Sequence, residues 1–203
     1  MKTALRFAFG IGAAAAVLAG CGGGGIGSLN PSPPQHAPAQ RHPGVAYAVI
    51  HSFGSGSDGV NPQAGLIKVK GVLYGTTQYG GANGLGTVFS LTPSPSSTET
   101  TLYSFAGYPS DGSDPVASLV NVNGTFYGTT LEGGGGNCGI RLGCGTAFAI
   151  APSGAETVLH TFGQDATNPE GGLIYVKGSL YGTTASGGTN TVGTVFAIPR
   201  FGY

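Results

Sequence analysis

The 203-residue chain is long enough for one domain, and its forty glycines and thirteen prolines punctuate short apolar runs, as in an all-β protein with tight turns. Removing Lys2 and Arg6 with an N-terminal leader leaves six basic against eight acidic residues, which argues against a nucleic-acid partner, since that needs a basic surface. No apolar run reaches the roughly 18 residues of a membrane-spanning helix.

Residues 1–21 have the pattern of a secretory signal peptide. Lys2 and Arg6 give a positive start, and the 13 apolar and small residues Phe7–Ala19 have the length of a signal-peptide core. The segment ends in Leu18-Ala19-Gly20-Cys21, which resembles the lipobox of bacterial lipoproteins. The resemblance implies cleavage before Cys21 and lipid on that residue, which anchors the chain to a membrane. The alternative is an ordinary cleaved signal peptide with an incidental cysteine.

The residues after Cys21 predict a location and a tether. Gly22 follows the cysteine, which resembles outer-membrane sorting in Gram-negative lipoproteins, so we expect the protein in the cell envelope, on the periplasmic or surface face. Residues 22–44 are rich in Gly, Pro, Ser, Gln and Ala without an apolar period, which predicts a disordered tether. His36 and His42 within it are either a metal-binding pair or solvated linker residues. Residues 45–203 form the predicted domain.

One five-residue stretch occurs three times in this domain. Its copies are Leu73–Thr77, Phe126–Thr130 and Leu180–Thr184, each containing Tyr-Gly-Thr-Thr. The tyrosines are 53 and 54 residues apart, and two glycines follow each copy at the same offset. A period of this length predicts a repeat architecture.

Each repeat contains four strand-like segments, which are short, β-branched and aromatic, with apolar residues at period two. The first segments are Val49–Phe53, Thr101–Phe105 and Val158–Phe162; the second are Gly65–Val69, Ser118–Val122 and Gly172–Val176; the third are the Tyr-Gly-Thr-Thr copies; the fourth are Gly86–Leu91, Gly145–Ile150 and Gly193–Ile198. No stretch after residue 44 has a convincing helical period.

The loops predict which strands pair. Asn123-Gly124 separates the second and third segments of repeat two and favours a type I′ hairpin turn. The connection from first to second segment is longer, as between sheets. We therefore predict sheets made of the second, third and fourth segments plus the first segment of the next repeat. Val45–Phe53 is then left to complete the last sheet, as in propellers that close their ring.

The repeat resembles a known family. Ala64-Gly65-Leu66-Ile67, the glycine-flanked Leu73–Thr77 stretch and Gly86–Phe89 resemble the GloVer tandem repeats of bacterial "choice-of-anchor" proteins. The resemblance covers residues 45–203 and extends to kelch-type propellers, although the chain has no tryptophan. It implies an all-β, propeller-like fold as an open arc or incomplete propeller, and it implies no catalytic residue or cofactor. Alternatives are a β-trefoil, and a homodimer in which two chains complete a six-bladed ring.

The long loops repeat an acid followed three residues later by Asn or Asp and then proline. Turn chemistry explains this, because Asx side chains bond nearby backbone N–H groups. The functional alternative is a calcium site, since oxygen-rich loops suit hard cations. The candidate calcium ligands are Asp58, Asp111, Asp114 and Asp165.

Aromatic residues recur at two repeat positions. Tyr74, Tyr127 and Tyr181 are either repeat core or, if exposed, stacking platforms for sugar rings. His51 and His160 stand where the second repeat has Tyr103, which favours an aromatic packing position over a metal ligand or catalytic base.

Cys138 and Cys144 flank an insertion in the loop before the fourth segment of repeat two. Because an exported protein meets an oxidising compartment, these two cysteines predict a disulfide that stiffens a distinctive surface loop. A zinc site would need further ligands, and none stands nearby.

No catalytic motif stands out. Glu132, Glu156 and Glu170 occupy non-equivalent repeat positions, and Glu99 is predicted to lie in a Ser/Thr/Pro loop. We therefore expect a binding or structural module and not an enzyme, attached to a membrane by its N-terminal lipid and recognising glycan or a surface protein. The alternatives are a polysaccharide-active enzyme of propeller type, and a structural spacer or remnant of a longer array.

Overall fold

The computed structural model describes residues 46–54, 57–94, 97–138 and 142–199. The predicted signal peptide, Cys21 and the tether with its two histidines lie outside these residues. Residues 47–203 form one compact unit. In the part of the chain that is described, no helix has the length and apolar character needed to cross a membrane.

The described residues form seventeen β-strands, and none of them is helical. In chain order the strands are β1 (Gly59–Val60), β2 (Ile67–Val69), β3 (Val72–Thr77), β4 (Tyr79–Gly80), β5 (Thr87–Leu91), β6 (Glu99–Ser104), β7 (Gly112–Ser113), β8 (Val120–Val122), β9 (Thr125–Thr130), β10 (Glu132–Gly133), β11 (Thr146–Ile150), β12 (Glu156–Thr161), β13 (Ala166–Thr167), β14 (Ile174–Val176), β15 (Ser179–Thr184), β16 (Ser186–Gly187) and β17 (Thr194–Pro199).

Three antiparallel sheets make up most of the unit. The first is β2-β3-β5-β6, the second is β8-β9-β11-β12, and the third is β14-β15-β17. The predicted grouping is confirmed, because β6 and β12 open one repeat in sequence yet complete the sheet of the repeat before. Four strands in consecutive order make a propeller blade, so the all-β, incomplete propeller-like fold is confirmed in place of the β-trefoil.

Turn chemistry fixes the register of the inner hairpins. Asn123 and Gly124 join β8 to β9 with φ angles of 53° and 93°, both in the left-handed region. A type I′ turn needs positive φ at both central residues, and its twist matches that of the strands. Lys70 and Lys177, at the same position in the other two repeats, also have positive φ. All three repeats therefore share this hairpin.

The expectation that Val45–Phe53 completes the last sheet is wrong for the described part of that segment, residues 46–54. None of these residues lies in a strand, and β17 pairs only with β15 among the described strands. Phe53 packs edge-on against Phe89 of β5 instead, with ring centroids 5.0 Å apart. This apolar contact holds the segment against the first sheet of its own chain.

The hydrophobic core lies between neighbouring sheets. Phe105 packs against Phe148 at 5.1 Å, and Phe162 packs against Phe196 at 4.9 Å, repeating the Phe53–Phe89 contact. Buried apolar residues between the first and second sheets are Val88, Phe105, Leu119, Phe126, Phe148 and Ile150. Those between the second and third are Val122, Tyr127, Leu173 and Leu180.

Candidate functional site

The Tyr-Gly-Thr-Thr motif has a structural role in its last residue. The Thr77 hydroxyl lies 2.8 Å from the Thr87 hydroxyl and donates to the Tyr79 carbonyl. A Cβ at Gly59 would lie 2.3 Å from the Thr77 side chain, so the glycine allows β1 to pass close to this pair. The same hydroxyl pair recurs at Thr130–Thr146 and Thr184–Thr194. The last threonine of the motif is therefore explained by packing and hydrogen bonding.

The aspartates of the long loops organise turns. Asp58 Oδ1 accepts the Gly59 N–H at 2.7 Å, and Asp111 Oδ1 accepts the Gly112 N–H at 2.6 Å. Each bond joins the carboxylate to the first residue of β1 or β7. These contacts are the turn chemistry predicted from the sequence.

The residue before each loop proline is in the left-handed region, with φ of 62° at Asn61, 57° at Asp114 and 60° at Asn168. Asn and Asp tolerate this conformation better than other residues with a side chain, which accounts for the repeated Asx-Pro pairs. The described residues contain no group of three His, Cys, Asp or Glu side chains able to hold a metal ion. Asp58, Asp111, Asp114 and Asp165 therefore do not form such a group.

A polar hollow of about 320 Å³ opens beside the first of these loops. His51 and Asp58 meet in it, with His51 Nε2 3.2 Å from Asp58 Oδ2. Glu99, the first residue of β6, also lines the hollow. The residues that line the hollow are His51, Ser57, Asp58, Ser97, Thr98 and Glu99.

The hollow holds a carboxyl group that retains its proton more strongly than usual. Burial raises the pKa of Glu99, and the nearby Asp58 charge raises it further, while a hydrogen bond from Thr101 and the charge of His51 act in the other direction. The hollow therefore contains, beside Asp58, a carboxyl group at Glu99 with a greater tendency to remain neutral.

The second repeat has an equivalent arrangement. The Tyr103 hydroxyl donates to Asp111 Oδ2 at 2.8 Å, in the position of the His51–Asp58 pair. Burial, with a smaller contribution from the Asp111 charge, raises the pKa of Glu156 to about 7. Glu156 Oε1 is buried and has no hydrogen-bond partner. In the third repeat, His160 and Asp165 occupy the corresponding positions.

The prediction that Glu99 lies in a loop is wrong, because Glu99 begins β6. Glu99 and Glu156 are the first residues of β6 and β12, which pair with β5 and β11 in the same register. Repeat alignment around Glu99-Thr100-Thr101-Leu102 and Glu156-Thr157-Val158-Leu159 carries the signal for this equivalence. Sequence analysis missed it because the serine- and proline-rich segment before Glu99 resembled a loop.

The three motif tyrosines do not share one environment. Tyr74 packs on Phe126 with ring centroids 4.3 Å apart, and Tyr127 is only 4% exposed. Tyr181, at the same position of β15, is 37% exposed. The first two tyrosines fill the contacts between sheets, which leaves Tyr181 as the exposed aromatic side chain of the three.

The predicted disulfide between Cys138 and Cys144 is present, with the two Cα atoms 5.5 Å apart. The position of the disulfide differs from the prediction, which placed it in a surface loop. Cys144 is buried and belongs to an apolar cluster with Ala147 and Phe162, and Cys138 packs against the same cluster. The bridge therefore joins the inserted loop to the core.

The histidines occupy the predicted aromatic position. The rings of His51, Tyr103 and His160 each pack edge-on against the phenylalanine two residues later, with centroids 4.6–5.2 Å apart. The ring at this position thus packs in all three repeats. In the first two repeats it also forms a hydrogen bond with the loop aspartate.

Repeated blade-like sheets with buried threonine pairs define a β-repeat protein of propeller-like construction. The chain belongs to the family of the Gloeobacter/Verrucomicrobia repeat, whose family model matches residues 40–196. This match confirms the resemblance to GloVer repeats. No protein in the curated set matches the chain.

Proposed function

We propose that this protein is a binding module of the bacterial cell envelope, held to a membrane by lipid on Cys21 and recognising glycan at its polar hollow. The observation that carries the proposal is the hollow of about 320 Å³ beside His51. Hydroxyl, carboxyl and imidazole groups line it, and such donors and acceptors match the hydroxyl groups of a sugar.

The repetition of these polar side chains supports an extended ligand. Tyr103, Asp111 and Glu156 repeat the arrangement of His51, Asp58 and Glu99 one sheet further along. A polymer with identical units suits a row of similar sites, because several weak contacts on one chain combine into higher avidity.

The binding proposal is tested with the full exported chain on a glycan array. We expect one class of glycan to bind the unmodified chain and the Glu170→Gln control, in which an exposed glutamate outside the hollow is changed. Glu99→Gln is expected to bind at least about tenfold more weakly, because it alters a group lining the hollow. Equal binding by both variants, or binding to a surface protein and no glycan, would overturn the glycan assignment.

The anchor is tested by fatty-acid labelling of growing cells. The unmodified chain and a Gly22→Ala control are expected to incorporate label and sediment with membranes. Cys21→Ala is expected to lose the label and the membrane association, because the acyl chains are attached to that residue. Retention of label by Cys21→Ala would show that lipid is attached elsewhere.

A polysaccharide-active enzyme is the second candidate, and the raised pKa of Glu99 beside Asp58 favours it. Cleavage of a glycosidic bond by two carboxyl groups uses one as the acid and the other as a carboxylate. Loss of polysaccharide viscosity with the unmodified chain, abolished by Glu99→Gln and kept by Glu170→Gln, would establish this activity. Unchanged viscosity with a polysaccharide that binds would exclude it for that polymer.

A further inference from the structure

The outer face of the third sheet is open at positions that the other sheets bury. Val195 of β17 is 79% exposed, whereas Val88 and Ala147, at the same repeat position, are fully buried. Thr183 is also exposed, although the equivalent Thr76 is buried and donates to the Ala117 carbonyl, which lies just before β8 of the next sheet. The third sheet thus has the surface that binds a following sheet, and the described residues contain none.

The first sheet has the complementary surface. Leu66, just before β2, is 51% exposed, while the equivalent Leu119 and Leu173 are 4% and 6% exposed. The internal leucines are buried because each belongs to the cluster between its own sheet and the one before. Leu66 has no preceding sheet in the described chain.

Among the described strands, the third sheet has no fourth strand beside β17, and residues 47–52 match such a strand in sequence. Tyr47 and Val49 are 89% and 62% exposed and lie in no strand. They correspond to Glu99 and Thr101 of β6, counting back from the shared phenylalanine. In the described chain, the third sheet therefore lacks its last strand. Residues 47–52, at the other end of the unit, have the matching sequence but lie in no strand.

The second glycine of each pair after the motif shows which side chain is absent beside β17. A Cβ at Gly81 would meet the side chains of both Thr87 and Ser104, which belong to paired strands. At Gly134 it would likewise meet two threonines, Thr146 and Thr161. At Gly188 the only side chain within 4 Å is that of Thr194 on β17. The missing neighbour is the counterpart of Ser104, which is Ser52.

We propose that a second copy of this chain fills both vacancies. Residues 47–52 of the partner pair with the free edge of β17, and the partner's Leu66 packs on Tyr181. Because each chain has both a donor segment and an acceptor sheet, two chains form two identical contacts. The product is a closed ring of six four-stranded sheets, within the usual range of four to eight propeller blades.

The existing sheets give the register of the new pairing. Thr87 faces Ser104 and Ser90 faces Thr100 in the first sheet, with a bulge between Val88 and Phe89. The second sheet repeats the bulge between Ala147 and Phe148. By equivalence, Thr194 faces the partner's Ser52, and Ala197 faces the partner's Ala48.

The partner must supply this segment because the chain's own copy is held elsewhere. Phe53 packs on the first sheet, and the second sheet lies between the first and the third through the two core clusters. A single chain would have to close a ring of three sheets to bring its own residues 47–52 to β17, fewer than propellers use.

Cysteine crosslinking tests the register with the full chain purified from membranes in detergent. Ala48 and Ala197 are both exposed, so cysteines there should leave the fold intact. We expect a mixture of Ala48→Cys chains and Ala197→Cys chains to form mixed disulfide dimers under mild oxidation. The double variant Ser90→Cys/Thr100→Cys, whose pair is already adjacent within one chain, calibrates the rate.

A mixture of Ala48→Cys with Val192→Cys is the matched control, since Val192 is equally exposed but precedes β17. Crosslinking of Ala48→Cys with Ala197→Cys several-fold faster than with Val192→Cys supports the pairing. Equal rates, or bridging only within one chain in the double variant Ala48→Cys/Ala197→Cys, would overturn it.

The mass of the particle tests closure separately. We expect twice the chain mass for the unmodified protein and for Val192→Asp, and a single chain mass for Val195→Asp, which places a charge in the proposed contact. Both valines are about 80% exposed, so neither change disturbs the folded chain. A single chain mass for the unmodified protein, or polymers longer than two chains, would refute the two-chain ring.

Discussion

Thr130 and Thr146 bring their hydroxyl groups within 2.9 Å of each other across the second sheet, and both side chains are fully buried. The Thr130 hydroxyl also donates to the Glu132 carbonyl and accepts the Thr146 N–H at 3.0 Å. Each polar atom is satisfied inside the protein, which is the condition for burying a hydroxyl without a net cost. The repeat motif therefore encodes a hydrogen-bonded junction.

Thr130→Val should lower the free energy of unfolding by about 1–3 kcal/mol, because it removes the buried hydroxyl that bonds the Thr146 N–H and the Glu132 carbonyl. Thr100→Val is the matched control, since Thr100 lies exposed on β6 and its change should fall within about 0.5 kcal/mol. Urea denaturation of both variants checks the prediction. Equal loss in the two variants would mean that the hydroxyl pair contributes nothing specific.

The sequence was sufficient to predict the sheets because their signals are local. Asn123-Gly124 specifies its hairpin through backbone conformation alone, and the strand pairing follows from which connections are short. The disulfide was also predictable, since two cysteines in one inserted loop have no other partner among the described residues. These features depend on neighbours in sequence, and the repeat supplies three copies of most of them.

The polar hollow and the conformation of residues 46–54 were harder to predict, because both depend on contacts between sheets. The charge of Asp58 acts on Glu99 only in the folded chain, because Asp58 comes from the loop before β1 and Glu99 from β6. Two residues this far apart in sequence give no periodic signal. Residues 46–54 have the composition of a strand, yet strand formation requires a free edge within reach. The core contact of Phe53 with Phe89 prevents that within one chain.

Gly128→Ala should destabilise the protein by about 1–3 kcal/mol, because the new methyl group would lie 2.6 Å from Phe148 and 3.1 Å from Leu119 in the core. Gly172→Ala is the control, since its nearest neighbour would be 3.6 Å away and its backbone is not in the left-handed region. Thermal unfolding followed by near-ultraviolet circular dichroism measures both. A smaller loss for Gly128→Ala than for Gly172→Ala would contradict this account of the motif glycine.

Replacing both Cys138 and Cys144 by alanine should lower stability by about 2 kcal/mol, as loop-closure entropy gives for a short bridged loop. The bridge closes a six-residue separation and packs on Phe162, so local protection should fall most around that cluster. Amide hydrogen exchange resolved by residue provides the measurement. Protection loss spread evenly through all three sheets would show that the bridge does not act locally.

Glu156 should make the protein less stable as the pH rises. Burial and the Asp111 charge raise its pKa from the ordinary 4.5 to about 7 in the folded chain, so the folded state binds the proton more tightly than the unfolded state. Such a group lowers stability progressively between these two pH values, and the loss is complete above about pH 7. The buried Oε1, which has no partner, bears this cost when the group ionises.

Glu156→Gln should therefore raise the urea midpoint at pH 8 relative to the unmodified chain and change it little at pH 4, where the glutamate is already neutral. Glu170→Gln is the matched control, because Glu170 is exposed and outside the hollow. Urea titrations at several pH values between 4 and 8 provide the measurement. If the advantage of Glu156→Gln over Glu170→Gln were the same at every pH, ionisation of Glu156 would not be the cause.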